Sequence, residues 1–279
     1  MYEFYLGDAS EIREKEEKFL LTVKRLLPKW LNGIPDCELI NMHRVIGDVA
    51  SRAAESGRRL VMVETGVGAS TLAMVYAALK YDGLGFTWDL NAEKASHIRS
   101  VCTETIGHVL EGDINAHWRV VGYDSTSPVA GLPVLADIVD HVDYFLHDGD
   151  HVWSTIVKEL DAVVPLLAEG GVVAVDDAQY AYAHTNEFIV NIARRKLGLP
   201  DASFEDNRTG PFHEEVEHYL SERWQQVESV TGFYRENYRN DLFFAYYDVD
   251  TQVRAEIVSD QFLDQEHRFE AWHLTDRRA

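Results

Sequence analysis

Two acidic turns carry the side chains best suited to reactive chemistry: His147-Asp148-Gly149-Asp150-His151, and Asp176-Asp177 closing the run Gly170-Gly171-Val172-Val173-Ala174-Val175. Clustered carboxylates are hard oxygen donors, the ligands that Mg²⁺ and similar divalent cations take. Each turn directly follows a strand-like segment, Val142 to Leu146 for the first and Gly171 to Val175 for the second. A parallel sheet would carry both turns to its C-terminal edge, where open α/β sheets place their ligands. Each acidic residue also has a plain structural use. Asp148 or Asp150 could cap a helix beginning near Val152, and Asp176-Asp177 could satisfy turn amides.

The elements that must position these turns follow from hydrophobic pattern. Leu60-Val61-Met62-Val63-Glu64 reads as the first strand of the core, followed by a turn with Gly66 and Gly68, then a helix capped by Ser70 and running through Leu72, Met74, Val75 and Leu79. Strand, glycine turn and helix make a dinucleotide-style pocket in which both glycines permit close backbone approach. Leu84 to Trp88 gives a second strand ending at Asp89, whose distance from the glycine turn suits a carboxylate receiving the two hydroxyls of a ribose. A third strand, Trp118 to Val121, precedes Gly122-Tyr123-Asp124-Ser125. The spacing predicts a helix over 155–167 between the two acidic turns, and a fifth strand from Gly171 to Val175 whose small β-branched residues suit a central position.

Outside this alternation, Glu11 to Leu31 and Asn41 to Glu55 read as helices with one apolar face, with Pro28 marking a bend or an end. A further helix is expected over 186–197. Two late apolar runs, Gln226 to Tyr234 and Leu242 to Val249, are expected to pair antiparallel at the sheet edge. The organisation is therefore residues 1–58 as an N-terminal helical extension serving as lid or oligomer contact, 59–250 as the core domain, and 251–279 as a charged, peripheral segment.

Composition narrows the function. Asp plus Glu number 47 against 26 Lys plus Arg, a formal charge of -21 that repels phosphate backbones and anionic membranes. Neither a nucleic acid nor a membrane is an expected partner. The start lacks a signal-peptide pattern and no apolar run reaches the length of a membrane span, so the chain reads as cytoplasmic. Cys37 and Cys102 lie far apart, which gives a disulfide framework no support.

The ordered set Glu64-Thr65-Gly66-Val67-Gly68, Asp89, Asp124-Ser125, Asp148 and Asp176-Asp177 resembles class I S-adenosylmethionine-dependent methyltransferases over roughly Leu60 to Val249. The glycine turn departs from the usual first motif by lacking its third glycine. The resemblance implies an α/β, Rossmann-like methyltransferase fold: a seven-stranded, mostly parallel sheet with an antiparallel edge strand and extra N-terminal helices. It implies S-adenosyl-L-methionine as cofactor, held by Glu64, Thr65, Gly66, Gly68 and Ser70 around the amino-acid part, Asp89 at the ribose, Asp124 and Ser125 at the adenine, and Asp148 beside them. Within that superfamily, Asp148-Gly149-Asp150-His151 with Asp176-Asp177 resembles the metal-dependent small-molecule O-methyltransferases of the macrolide-sugar, aminocoumarin-sugar and catechol types. That likeness implies Mg²⁺ or another divalent cation on Asp148, Asp176 and Asp177. Catechol members usually carry Asn at the position of Asp177, so the Asp pair tips the expectation toward a hydroxylated natural-product or sugar-containing acceptor. The same likeness nominates two bases. His151 stands where catechol-type relatives carry a lysine, and Asp150 is favoured by comparison with the sugar-modifying relatives.

Three other functions fit parts of the pattern: a metal-independent small-molecule N-methyltransferase, an NAD-dependent oxidoreductase, and a non-enzymatic binding or assembly protein that keeps the fold. Thr71 stands where the NAD fingerprint usually has Gly or Ala, and no G-K-[ST] end supports a Walker-type phosphate site. The apolar faces of the N-terminal helices suit a homodimer or higher homo-oligomer as well as internal packing. Tyr180, Tyr182, Phe212, Tyr234 and Tyr238 are candidate walls for an organic acceptor, with His184 and His213 as polar contacts.

Overall fold

The computed structural model of the protein describes residues 9–34, 36–124, 131–176, 178, 195, 198, 200, 212–230 and 270–278. Its core is a seven-stranded sheet in the order β3-β2-β1-β4-β5-β7-β6. The strands are β1 (Val61–Thr65), β2 (Leu84–Asp89), β3 (Trp118–Gly122), β4 (Val142–His147), β5 (Leu167–Val175), β6 (Trp224–Ser229) and β7 (Glu270–Arg277). β1 pairs in parallel with β2 and β4, β2 with β3, and β4 with β5. β7 runs antiparallel between β5 and β6. The expected α/β class is therefore observed, with the antiparallel strand one place in from the edge.

Why these segments form central strands is visible in their burial. All five residues of β1 and all six of β4 are buried, as required of parallel strands covered on both faces. The regular part of β5 runs from Val172 to Val175, and the pairing with β4 shifts between Val142 and Tyr144, opposite Leu167 and Val172. Gly170, at φ 77°, and Gly171 occupy that irregularity, and a Cβ on Gly171 would meet the Ala168 carbonyl oxygen at 2.9 Å.

Helices cover both faces. On one face lie α1 (Ala9–Lys24), α2 (Asp36–Glu55), α3 (Ser70–Lys80) and α4 (Ala92–Cys102). Leu20, Ile40, Val45 and Leu72 share one apolar core there with Met62, Tyr144 and Val172 of the sheet. The N-terminal helices thus share a core with the sheet. Arg52 of α2 also donates to the Gly170 carbonyl of β5 at 3.1 Å. On the other face, α5 (Trp153–Val163) and α6 (His213–Ser221) bury Ile156, Leu160, Val216 and Leu220 against Val63, Phe145 and Trp272. A turn at Pro28 follows α1, and the short 3₁₀ turn Lys29–Leu31 leads toward α2. No helix among the described residues is long and apolar enough to cross a membrane.

One expectation needs correction. The tail beyond residue 250 is not wholly peripheral, because Glu270–Arg277 is β7, inserted between β5 and β6 with Ala271, Trp272 and Leu274 buried. It is this segment that pairs with β6; the expected partner run 242–249 and the helix expected over 186–197 lie outside the described residues, apart from isolated positions of the latter. Polar residues hid the strand, because its buried Glu270 bonds Ser229 across the ladder while its far end faces water. Trp272→Ala is accordingly expected to destabilise the protein by about 3–5 kcal/mol in urea unfolding, the cost of emptying a packed aromatic site. A dispensable tail would change stability by less than about 0.5 kcal/mol.

Candidate active site

The parallel strands end in register, and the residue after each strand continues the ladder. Tyr123 N–H donates to the Asp89 carbonyl at 3.1 Å, Gly66 to Trp88 at 2.9 Å, Asp148 to Thr65 at 3.1 Å and Asp176 to His147 at 2.9 Å. These bonds bring Asp124, Asp89, the glycine turn, Asp148 and Asp176 to one edge of the sheet, as expected of turns that follow parallel strands. Ser125 and Asp177 lie outside the described residues.

The glycine turn is fixed by a close approach. Gly66 has φ 83°, and a Cβ there would stand 1.9 Å from the Asp148 carbonyl oxygen, so the turn presses backbone against backbone on the first acidic turn. Asp89 holds the turn from the other side: its Oδ2 accepts from Val67 N–H at 2.6 Å and its Oδ1 from Asn91 N–H at 2.5 Å. The carboxylate placed by spacing at a ribose thus also orders the loop beside it. Ser70, in the first turn of α3, donates from its hydroxyl to Asp148 Oδ2 at 3.2 Å.

Two residues expected at the cofactor's amino-acid part lie beneath the turn instead. Glu64 is buried, and its Oε1 accepts from Thr71 at 2.6 Å and Thr87 at 2.7 Å, while Thr71 accepts from Gly68 N–H at 3.1 Å and Thr87 from the Trp118 indole at 2.7 Å. The glycine turn is therefore tied through Glu64 to β2 and β3. Thr65 points to the opposite face, where its hydroxyl donates to Glu159 at 2.9 Å. Strand alternation sends neighbouring side chains to opposite faces, so neither projects along the edge.

Burial raises the Glu64 carboxyl to about 8, against the lowering effect of its two threonine donors. A carboxyl raised in the folded state favours folding below its unfolded pKa and loses that contribution as pH rises through the folded value. The stability of the native protein relative to Glu64→Gln is accordingly expected to fall between pH 5 and 8, by roughly 1.4 kcal/mol for each unit of pKa difference. Urea unfolding of both proteins across that range measures it, and parallel pH curves would contradict it.

The two acidic turns converge. Ligand atoms of Asp148, His151 and Asp176 all lie within 4.8 Å of one another, and His151 Nε2 is 3.9 Å from Asp148 Oδ1. Asp176 is buried, and its Oδ1 has no hydrogen-bond partner among the described residues. Two carboxylates and an imidazole, with an acceptor oxygen lacking a donor, suit a divalent cation. His151 has its pKa lowered, chiefly by burial and secondarily by His147, with Asp176 opposing. Asp150 turns elsewhere and accepts from Thr155, in the first turn of α5, at 3.1 Å. His147 packs under the strand end with Nδ1 2.6 Å from Glu159 Oε2, both residues being fully buried.

A cavity of about 230 Å³ opens over this edge, lined among others by Gly66, Gly68, Asp148, His151 and Asp176. Its remaining wall comes from residues the sequence did not single out: Trp30, Leu31, Ile34 and Glu38 before and within α2, and Lys94 of α4. The signal available for Glu38 was a carboxylate in line with Met42, Val45 and Val49 on the apolar face of α2. Glu159 carries the same signal beside Ile156 and Val163 of α5. Phe212, expected as an acceptor wall, is a core residue that stacks on Trp153 at 6.0 Å. Its burial follows from its place at the start of α6, which carries it into the second core. His213 is partly exposed beside Glu214, whereas Tyr180, Tyr182, His184, Tyr234 and Tyr238 lie outside the described residues.

Comparison with known proteins agrees with this architecture. Residues 63–178 match the family described as a methyltransferase domain, a span from β1 to the second acidic turn. Sheet and match together define the core as that of a methyltransferase enzyme. No curated protein matches the chain in sequence. Similar solved structures include an O-methyltransferase from Bacillus cereus in complex with S-adenosylhomocysteine, at 15% identity over 81% of this chain and 84% of that one with a TM-score of 0.45. Another is the O-methyltransferase TomG from Streptomyces achromogenes, involved in tomaymycin synthesis and bound to S-adenosylmethionine, at 14% identity over 99% and 94% with a TM-score of 0.43.

Proposed function

We propose that the protein is a divalent-metal-dependent S-adenosylmethionine O-methyltransferase acting on a hydroxyl of a small natural-product or sugar-containing metabolite. The observation that carries this reading is the convergence of Asp148 and Asp176, with His151, beside a glycine turn in one cavity. Gly66, Gly68 and Ser70 would hold the amino-acid part of the sulfonium donor, Asp89 its ribose, and Asp124 with Ser125 its adenine. Asp148 and Asp176, with Asp177, would hold the cation, most suitably Mg²⁺. When bound, that ion lowers the pKa of the acceptor hydroxyl and orients it. The bound donor would supply the methyl group to the acceptor oxygen, its sulfur keeping the electron pair of the broken carbon–sulfur bond, and His151 would take the hydroxyl proton.

Positioning supplies much of the rate in such a transfer, because an oxygen in line with methyl and sulfur needs little further chemical help. The ladder bonds and the Gly66 approach hold the turns at fixed spacing. His151 is supported as the base by its lowered pKa, which keeps the imidazole neutral, and by its place in the cavity. Asp150 is a weaker candidate because Thr155 holds its carboxylate toward α5. Trp30, Leu31, Ile34 and Glu38 of the N-terminal layer line one side of the cavity, and the domain over 59–250 would carry donor and metal. The decisive experiment is methyl transfer to a panel of catechols and glycosides with and without chelator. Transfer abolished by chelator and restored by Mg²⁺ supports the reading. Turnover on an amine acceptor that chelator leaves intact would replace it with metal-independent N-methylation.

A further inference from the structure

We infer that Glu38, from the N-terminal layer outside the matched domain, takes the α-ammonium of the sulfonium donor. This rests on the S-adenosylmethionine reading above and assigns a recognition residue which that reading lacks. Glu64, the carboxylate expected to serve the amino-acid part, is committed to Thr71 and Thr87 beneath the glycine turn. Glu38 lines the same cavity as Gly66, Val67, Gly68 and Ala69 and is only 1% exposed.

Its position is imposed by the fold. The Leu31 carbonyl oxygen lies 3.7 Å from where a Cβ on Gly68 would stand, so the segment leading into α2 sits directly on the glycine turn. Glu38 is in the first turn of α2, where the positive end of the helix dipole favours negative charge. Among the described residues it does not belong to the Asp148, His151 and Asp176 cluster. The cavity therefore has two acidic parts, one suited to a metal ion and one beside the backbone that receives an α-amino acid. An ammonium group offers three N–H donors, and a charge-assisted bond to a carboxylate as buried as Glu38 is strong. Lys94 gives the same cavity an opposite charge for the donor's carboxylate.

Calorimetric titration of the full chain with three ligands tests this: S-adenosylhomocysteine, its analogue with the α-amine replaced by hydrogen, and 5′-methylthioadenosine, which lacks the amino-acid part. The native protein should bind S-adenosylhomocysteine about tenfold to a hundredfold more tightly than the deaminated analogue. Glu38→Gln should erase that difference while leaving 5′-methylthioadenosine unchanged. Equal affinity of the native protein for the first two ligands would overturn the inference even if the variant failed to fold. So would a Glu38→Gln protein that keeps the difference or weakens all three ligands alike. Native protein that binds none of the three would instead remove the donor reading itself, and Glu38's role with it.

Discussion

Asp176→Asn is expected to reduce metal-dependent methyl transfer by about a thousandfold or more and to weaken divalent-metal binding, with the circular dichroism spectrum unchanged. Its Oδ1 is buried with no hydrogen-bond partner among the described residues, so the native carboxylate is held in place without one of the donors that would offset its burial. A bound cation would supply that offset, and the proposed chemistry would draw several kcal/mol of charge stabilisation from it. Each 1.36 kcal/mol is tenfold in rate, which sets the expected size. The isosteric change keeps shape and backbone bonds, including the Asp176 N–H to His147 carbonyl bond at 2.9 Å. Metal titration beside single-turnover rates measures both effects. Full activity with undiminished metal binding would remove Asp176 from the site.

His151→Gln is expected to lower kcat by about 10²–10⁴-fold while leaving metal affinity close to native, because a positioned base contributes on that scale. The split matters because His151 also stands within ligand reach of Asp148 and Asp176. A metal affinity that falls together with kcat would make His151 the third ligand and leave the proton to another acceptor. Asp150→Asn should cost far less, since its carboxylate is spent on Thr155.

The centre of the sheet was legible because β1, β4 and the end of β5 are short apolar runs, buried on both faces, each ending in a turn with glycine or an acid. Asp89, Asp148 and Asp176 were legible for the same reason: a residue just past a central parallel strand must reach the C-terminal edge wherever the strand lies in the sheet. The direction of Glu64 and Thr65 was not. Alternation says only that they face opposite ways, and which way depends on the helices that cover each face. β7 was hidden because its partners, Val172–Val175 and Gln226–Ser229, are distant in sequence and its own apolar residues are interrupted by His273, Thr275 and Asp276. Glu38 was missed for a related reason. Nothing local sets where α2 lies; its packing through Ile40, Val45 and Ile46 against the sheet-facing core carries Glu38 to the glycine turn.

A crystal structure of the protein grown with S-adenosylhomocysteine and Mn²⁺, with the ion located by its anomalous signal, tests the account most directly. One ion is expected, bound to both Asp148 and Asp176 at about 2.0–2.3 Å from their oxygens, with the donor's sulfur turned toward it from the glycine turn. Density for S-adenosylhomocysteine on that turn with no ion between the two carboxylates at saturating metal would contradict it.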